Sequence, residues 1–120
     1  MKKYLIIFAL LIFSFSFSQI NTPQPSPLAQ IEQIVGLTEI EVEYSRPSMR
    51  GREIFGNLVP YNRIWRTGAN ASTKISFSTN VEINGQMVEA GKYSVFTVPN
   101  EPQWEFILYD DTSVRGVPRD

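Results

Sequence analysis

The chain has 120 residues, no histidine and no cysteine, and its 11 basic and 12 acidic side chains give a formal net charge of −1 at pH 7. The missing residue types exclude a Ser-His triad, a Cys-His nucleophile, and zinc sites built from histidine or thiolate. The acidic balance argues against a nucleic-acid partner. We therefore expect no metal site, no cofactor and no nucleic-acid binding.

The N-terminal segment has the pattern of a cleavable export signal. Lys2 and Lys3 are followed by an apolar run over 4–17, and residues 16–18 (Ser-Phe-Ser) supply the small side chains that signal peptidase requires. Spanning a membrane takes roughly 20 apolar residues, which is more than this run provides. We predict a signal peptide over 1–18, no membrane insertion after cleavage, and a periplasmic or extracellular location. Without a cysteine, the protein is not expected to be a lipoprotein.

A proline-rich linker and two strands are predicted next. Residues 19–28 contain three prolines, which disfavour helix and favour extended backbone. Apolar and polar residues then alternate with a period close to two over 29–35 and again over 39–44, as in half-buried β-strands. The second of these strands alternates its apolar residues with three glutamates, so we expect one of its faces to be wet.

The alternation stops between Ser45 and Ala71, where glycines and prolines interrupt the chain. At most a short helical turn fits there, near 53–58. A connection of this length inside a small domain is often functional.

Strands resume after this connection. Asn84-Gly85 favours a two-residue hairpin turn, because both positions of a type I′ turn need positive φ. The strands predicted from the alternation are 73–78, 81–83, 86–90, 92–98 and 103–109. The sequence therefore predicts an all-β domain over 29–120, an antiparallel β-sandwich with a barrel-like sheet as the alternative, carrying one long irregular loop.

The candidate site lies in this loop. Residues 46–66 hold five arginines and one acid, Glu53, with aromatic residues between them. The planar arginine fork suits carboxylate, phosphate or sulfate, and aromatic faces suit sugar rings. We predict a pocket for a small anionic or glycan ligand. Its candidate residues are Arg46, Arg52, Tyr61, Trp65, Arg66, Thr67 and Asn70.

An alternative leaves the same residues without a ligand. In it the arginines pair with glutamates of the first two strands, while Phe55 and Trp65 close one end of the sandwich.

Several short motifs follow one another in an order that is specific to one family. They are Pro25-Ser26-Pro27, Val35-Gly36-Leu37-Thr38, Glu43-Tyr44-Ser45-Arg46-Pro47-Ser48, Gly51-Arg52-Glu53-Ile54-Phe55-Gly56, Leu58-Val59-Pro60-Tyr61, Trp65-Arg66-Thr67-Gly68-Ala69-Asn70 and Ala90-Gly91-Lys92-Tyr93-Ser94. The series resembles DUF2911, a domain of unknown function found in exported bacterial proteins, over about 25–120.

The resemblance implies a secreted, β-rich domain and brings no established activity with it. Members usually have glycine where this chain has Asn62, a residue that tolerates left-handed backbone and keeps the turn possible. They also continue past 116–118 into further strands, so the domain over 29–120 is expected to be incomplete at its C-terminus.

Three functions remain open from the sequence. The leading one is a non-catalytic envelope or extracellular module that binds a small anionic or carbohydrate ligand. The second is a histidine-free hydrolase or lyase acting on polysaccharide, with a carboxylate or tyrosine as base and arginine stabilising charge. The third is a structural or assembly module. The sequence decides neither whether the domain is an enzyme nor its oligomeric state.

Overall fold

The structure is a computed structural model, and it describes residues 19–118; the predicted signal peptide lies outside the described residues. Within this range the chain forms seven β-strands and no helix. The strands are β1 (Leu28–Val35), β2 (Thr38–Ser45), β3 (Thr73–Phe77), β4 (Val81–Ile83), β5 (Gln86–Val88), β6 (Gly91–Val98) and β7 (Glu105–Tyr109). With no helix in residues 19–118, nothing there is a candidate helical membrane span.

Five strands form one antiparallel sheet in the order β1-β2-β3-β6-β7, and β4 and β5 form a separate two-stranded sheet. The predicted all-β antiparallel fold is confirmed. The large sheet is open, with β1 and β7 at its two edges, so the barrel-like alternative does not form as a closed barrel.

The small sheet is the hairpin that the sequence predicts. Ile83 pairs with Gln86, which leaves a turn of two residues. Asn84 has φ of 50° and Gly85 has φ of 80°, as a type I′ turn requires.

Across β2 and β3 the two faces of the large sheet differ in polarity, because side chains alternate along each strand. On the apolar face Val42 lies between Ile31 of β1 and Ile75 of β3. The glutamates of β2 occupy the opposite face, as the sequence predicts. There Glu43 lies beside Lys74, with 3.8 Å between the carboxylate oxygen and the ammonium nitrogen.

The buried interior combines a few apolar side chains with a group of hydroxyls. The buried hydrophobic residues are Val59, Phe77, Val95 and Phe96, and the buried polar residues are Ser45, Ser72, Thr73, Ser94 and Thr97. Every buried side-chain nitrogen or oxygen in the described part of the chain has a hydrogen-bond partner. Hydrogen bonding therefore compensates for burying these polar groups.

Two of these hydroxyls form a series of hydrogen bonds that ends at the backbone of the C-terminal segment. The Ser94 hydroxyl, which is fully buried, donates to the backbone oxygen of Asp111 at 2.9 Å and lies 3.1 Å from the Ser72 hydroxyl. A hydroxyl has one hydrogen. Since Ser94 gives its hydrogen to Asp111, Ser72 is the donor in the bond between the two serines.

The long loop (46–72) is fixed to the sheet rather than projecting from it. Trp65 exchanges two backbone hydrogen bonds with Thr97 of β6, at 2.7 and 3.0 Å. Because Thr73 of β3 pairs with Val95, Trp65 continues the sheet beyond the start of β3. Where a short helical turn fits the sequence, the chain instead makes turns, with one bridge between Phe55 and Val59.

The end of the proline-rich segment contacts both ends of the long loop. The backbone oxygen of Pro27 accepts a hydrogen bond from the Arg46 backbone N–H at 2.9 Å. The backbone oxygen of Ser26 accepts one from the Asn70 side-chain amide at 3.3 Å. Residues 25–27 therefore form part of the surface that surrounds the loop.

Candidate functional site: an arginine-lined cleft

The long loop and the segment that precedes β1 enclose a cleft of about 760 Å³. Binding sites for small molecules have volumes of roughly 300 to 1,000 Å³, so the cleft has the size of a ligand site. Its apolar lining includes Ile54, Phe55, Leu58, Val59, Ile64 and Trp65, and its charged lining consists of Arg50, Arg52, Arg63 and Arg66. Among the described residues that line it, no side chain carries a negative charge.

Backbone carbonyls orient two of the guanidinium groups. Arg52 donates from Nε to the oxygen of Met49 at 3.0 Å and from Nη2 to the oxygen of Ser48 at 2.9 Å. Arg66 donates from Nη1 to the oxygen of Asn70 at 3.2 Å. Carbonyl oxygens hold a guanidinium in place without neutralising it. Both side chains therefore keep their charge and have further N–H groups for a ligand.

The alternative in which the arginines pair with strand glutamates finds no support in the described residues. Within residues 19–118 the single ion pair closer than 4.0 Å joins Lys74 to Glu43. The four arginines of the cleft thus concentrate positive charge on a chain that is acidic overall. Charge of one sign in a cleft with apolar walls attracts ligands of the opposite sign.

A strained turn follows Arg66. Thr67 has φ of 57°, an uncommon conformation for a β-branched residue. Its hydroxyl lies 2.9 Å from the Thr97 hydroxyl, and its backbone oxygen accepts a hydrogen bond from the Thr73 hydroxyl at 2.7 Å. Backbone strain of this kind costs about 1–3 kcal/mol and clusters at functional sites.

Gly68 brings the same turn close to the sheet. Its φ is 158°, and a Cβ at this position would lie 3.0 Å from the Thr73 hydroxyl oxygen and 3.3 Å from the backbone oxygen of Ser45. A side chain at this position would crowd both atoms, so the turn or its neighbours would have to shift by a few tenths of an ångström. The close approach therefore helps to fix the position of Arg66 in the cleft.

Three aromatic rings form an edge-to-face cluster beside the arginines. The ring centroids are 5.0 Å apart between Phe55 and Trp104, 5.9 Å between Phe55 and Trp65, and 6.4 Å between the two tryptophans. Such pairs add about 0.5–1.5 kcal/mol beyond burial. Phe55 and Trp65 also line the cleft, so the cluster stiffens one of its walls.

The structure separates the seven predicted site residues into two groups. Arg52, Trp65 and Arg66 line the cleft, whereas Arg46, Tyr61, Thr67 and Asn70 do not. Arg50 and Arg63 do line it; they belong to the predicted basic segment but are not among the predicted site residues. A ligand role for all seven stays a prediction.

The four predicted residues outside the lining support the loop. The Asn70 side-chain amide donates to the backbone oxygen of Ser26, and the Asn70 backbone oxygen accepts from Arg66. The Thr67 hydroxyl forms a hydrogen bond with the Thr97 hydroxyl, and the Arg46 backbone N–H donates to the oxygen of Pro27. Trp104 also contributes, through the aromatic cluster. The sequence places Trp104 in the last strand and gives no sign that it meets Phe55 and Trp65.

Tyr61 is the tyrosine of the predicted site, and its surroundings favour the protonated phenol. Its hydroxyl donates to Oε1 of Glu101 at 3.2 Å. Desolvation, followed by the negative charge of Glu101 and this hydrogen bond, raises the pKa of Tyr61 above its ordinary value of 10.0. The phenol therefore stays protonated near neutral pH and is a poor general base.

The fold and the cleft together define an open antiparallel β-domain with a cationic, ligand-sized cleft at one end of its sheet. The chain belongs to the family described as "Protein of unknown function (DUF2911)", whose family model matches residues 26–119. This match confirms the resemblance seen in the sequence. No curated protein and no solved structure matched the chain.

Proposed function

We propose that this domain is a non-catalytic module, exported to the periplasm or the exterior of the cell, that binds a small organic anion in the arginine-lined cleft. The observation that carries the proposal is that four arginines line the cleft together with apolar and aromatic side chains, with no acidic side chain among the described lining residues. A carboxylate, phosphate or sulfate group would bind to the guanidinium groups, and an apolar or ring-shaped body would lie against Phe55 and Trp65.

The lining favours an anion over a neutral sugar. Recognition of sugar hydroxyls uses both hydrogen-bond donors and acceptors. Arginine side chains and the indole N–H of Trp65 donate only, and the remaining polar side chains of the described lining are the hydroxyls of Ser26 and Ser48. An acidic sugar offers a carboxylate to the four arginines, whereas a neutral sugar has no charge for them to recognise.

A catalytic role gains no comparable support. The cleft lining includes no carboxylate, and Tyr61 is both outside the lining and biased toward its protonated form. In residues 19–118 no group of three or more His, Cys, Asp or Glu residues is placed to hold a metal ion. These observations favour binding without chemistry.

Isothermal titration calorimetry with four probes tests the proposal. Benzoate offers a carboxylate on an apolar ring, and glucuronate offers one on a sugar. Inorganic phosphate is an anion with no ring or apolar group, and glucose is a neutral sugar. We expect saturable binding of benzoate and glucuronate at low salt, weaker binding of phosphate, and no binding of glucose. Added salt should weaken the binding of each anion. Binding of glucose as tightly as glucuronate, or no binding of any anion, would refute the proposal.

A pair of variants locates the site. Arg63→Ala removes a lining guanidinium for which the structure records no side-chain hydrogen bond, so the loop should keep its shape. Arg115→Ala removes an exposed arginine outside the cleft and serves as the control. Loss of one charge-assisted hydrogen bond should weaken anion binding about tenfold in Arg63→Ala. Equal affinities in the two variants would show that the anion binds elsewhere.

A further inference from the structure

The outer edge of β1 has few of the features that usually protect the edge of a sheet. β1 is eight residues long, and among the described residues it pairs with β2 on one side and with no strand on the other. Protected edges carry charged side chains, most often lysine, or proline or a β-bulge, and the single charge of β1 is Glu32. Residues 28–35 contain neither lysine nor proline, and their register with β2 is continuous. The large apolar residues of this strand, each between 53% and 63% exposed, are Leu28, Ile31, Ile34 and Val35.

The hydrogen bond from Arg46 N–H to the oxygen of Pro27 shows which groups of β1 point outward. In an antiparallel pair, successive residues direct their N–H and C=O groups alternately toward the partner strand and away from it. Pro27 bonds toward β2, so residues with odd numbers do the same. The residues of β1 with outward N–H and C=O groups are Leu28, Gln30, Glu32 and Ile34.

We propose that β1 pairs with β1 of a second copy of this chain, antiparallel and across a two-fold axis at Ile31. Leu28 then lies opposite the partner's Ile34, and Gln30 lies opposite the partner's Glu32. With their symmetry equivalents these are four pairs, each exchanging two backbone hydrogen bonds, or about eight bonds in all. Two five-stranded sheets join into one continuous sheet.

Side-chain chemistry selects this register over its neighbours. Moving the axis to Glu32 places two glutamates opposite each other, which destabilises the pair. Moving the axis to Gln30 places Leu28 opposite the partner's Glu32. With the axis at Ile31, Gln30 meets the partner's Glu32. The Gln30 amide already donates one N–H to Glu41 at 2.6 Å, and an amide has a second N–H for the partner's carboxylate.

One existing contact at this edge is compatible with pairing. The side-chain amide of Gln33 donates to the backbone oxygen of Ile34 at 3.0 Å. A carbonyl oxygen has two lone pairs, so it accepts a second hydrogen bond from the backbone N–H of the partner's Leu28.

The dimer also extends the apolar face of the sheet. Ile31 lies beside Val42 within one copy. Across the two-fold axis it meets the partner's Ile31, at a non-hydrogen-bonded position where side chains come closest. The two copies therefore share one apolar stripe that neither has alone.

The other edge of the sheet is less suited to closed pairing. β7 has five residues, of which Phe106 and Leu108 have outward backbone groups, since the β6–β7 register pairs Phe96 with Ile107 inward. Contact between β1 of one copy and β7 of the next is head-to-tail and leaves free edges that add further copies. Pairing of β1 with β1 is complete with two copies.

Cysteine crosslinking tests both the dimer and its register, because the native chain has no cysteine. In the Ile31→Cys variant the two Cα atoms at the axis are about 4.5 Å apart, within the range for a disulfide. Gln33→Cys is the matched control on the same face and strand. Its two copies lie four residues apart along the strands, or about 13 Å, too far to be bridged.

We expect Ile31→Cys to form a covalent dimer under mild oxidation and Gln33→Cys to remain uncrosslinked. Equal crosslinking of both variants, or of neither, would overturn the register. Sedimentation velocity on the unsubstituted protein is the second readout, and it should give twice the monomer mass at high micromolar concentration. A monomer at that concentration, or an open-ended series of larger species, would overturn the dimer even if Ile31→Cys failed to fold.

Discussion

Replacement of Ser94 by alanine should destabilise the protein more than replacement of its neighbour Ser72, although both remove one hydroxyl. Ser94 accepts from Ser72 and donates to the backbone oxygen of Asp111. Ser94→Ala therefore breaks two hydrogen bonds and leaves a donor and a carbonyl without partners. Ser72→Ala breaks one bond and leaves only an acceptor with a spare lone pair.

The expected magnitudes follow from this direction of donation. A buried polar group left without a partner costs about 1–3 kcal/mol, so Ser94→Ala should lower the free energy of unfolding by about 2–4 kcal/mol. Ser72→Ala should lower it by about 1 kcal/mol. The double variant should be close to Ser94→Ala alone, because the bond between the serines can be lost only once.

Urea unfolding followed by tryptophan fluorescence measures all three variants. The assay suits this protein because Trp65 and Trp104 lie in one aromatic cluster and lose their contact with each other when the chain unfolds. If Ser72→Ala proved as costly as Ser94→Ala, or if the two effects simply added, the proposed direction of the hydrogen-bond chain would be wrong.

Three further outcomes are expected. Phe96 is 1% exposed, so Phe96→Ala should lower the free energy of unfolding by about 3–5 kcal/mol in the same urea assay. The hydroxyl and backbone N–H of Ser113 donate to Asp111 and lower the pKa of its carboxyl group below 3.8. The stability that these bonds give the folded state is present above pH 3.8 and is lost as the pH falls. The loss of unfolding free energy in Ser113→Ala should therefore be smaller in strong acid than at neutral pH. Mass spectrometry of the exported protein should show a chain that begins at Gln19.

The elements with local signals were the ones that the sequence could predict. Alternation over 39–44 predicted β2 and the common face of its three glutamates, and Asn84-Gly85 predicted the hairpin between β4 and β5. Asn62 adopts the left-handed backbone that asparagine tolerates, with φ of 60°. Each of these features depends on residues that are neighbours in the chain, so the physical cause is visible in a short window of sequence.

The features that the sequence could not predict depend on contacts between distant segments. Nothing near Trp65 indicates that it pairs with Thr97, and nothing near Trp104 indicates that it meets Phe55. The concentration of arginine predicted a basic loop, but which guanidinium groups face the cleft depends on turns in the folded loop. For that reason the prediction does not include Arg50 and Arg63, which line the cleft.

The pairing of Trp65 with Thr97 also determines when in folding the cleft can form. β1 and β2 are joined by a two-residue turn, and hairpins of this kind assemble in about 1–10 μs without the rest of the chain. The long loop, by contrast, can take up its position only after β6, which lies later in the chain, has docked on the sheet, because Trp65 pairs with Thr97 of that strand. A ligand of the cleft would therefore bind only chains in which β6 has docked, and its binding would raise the free energy of unfolding.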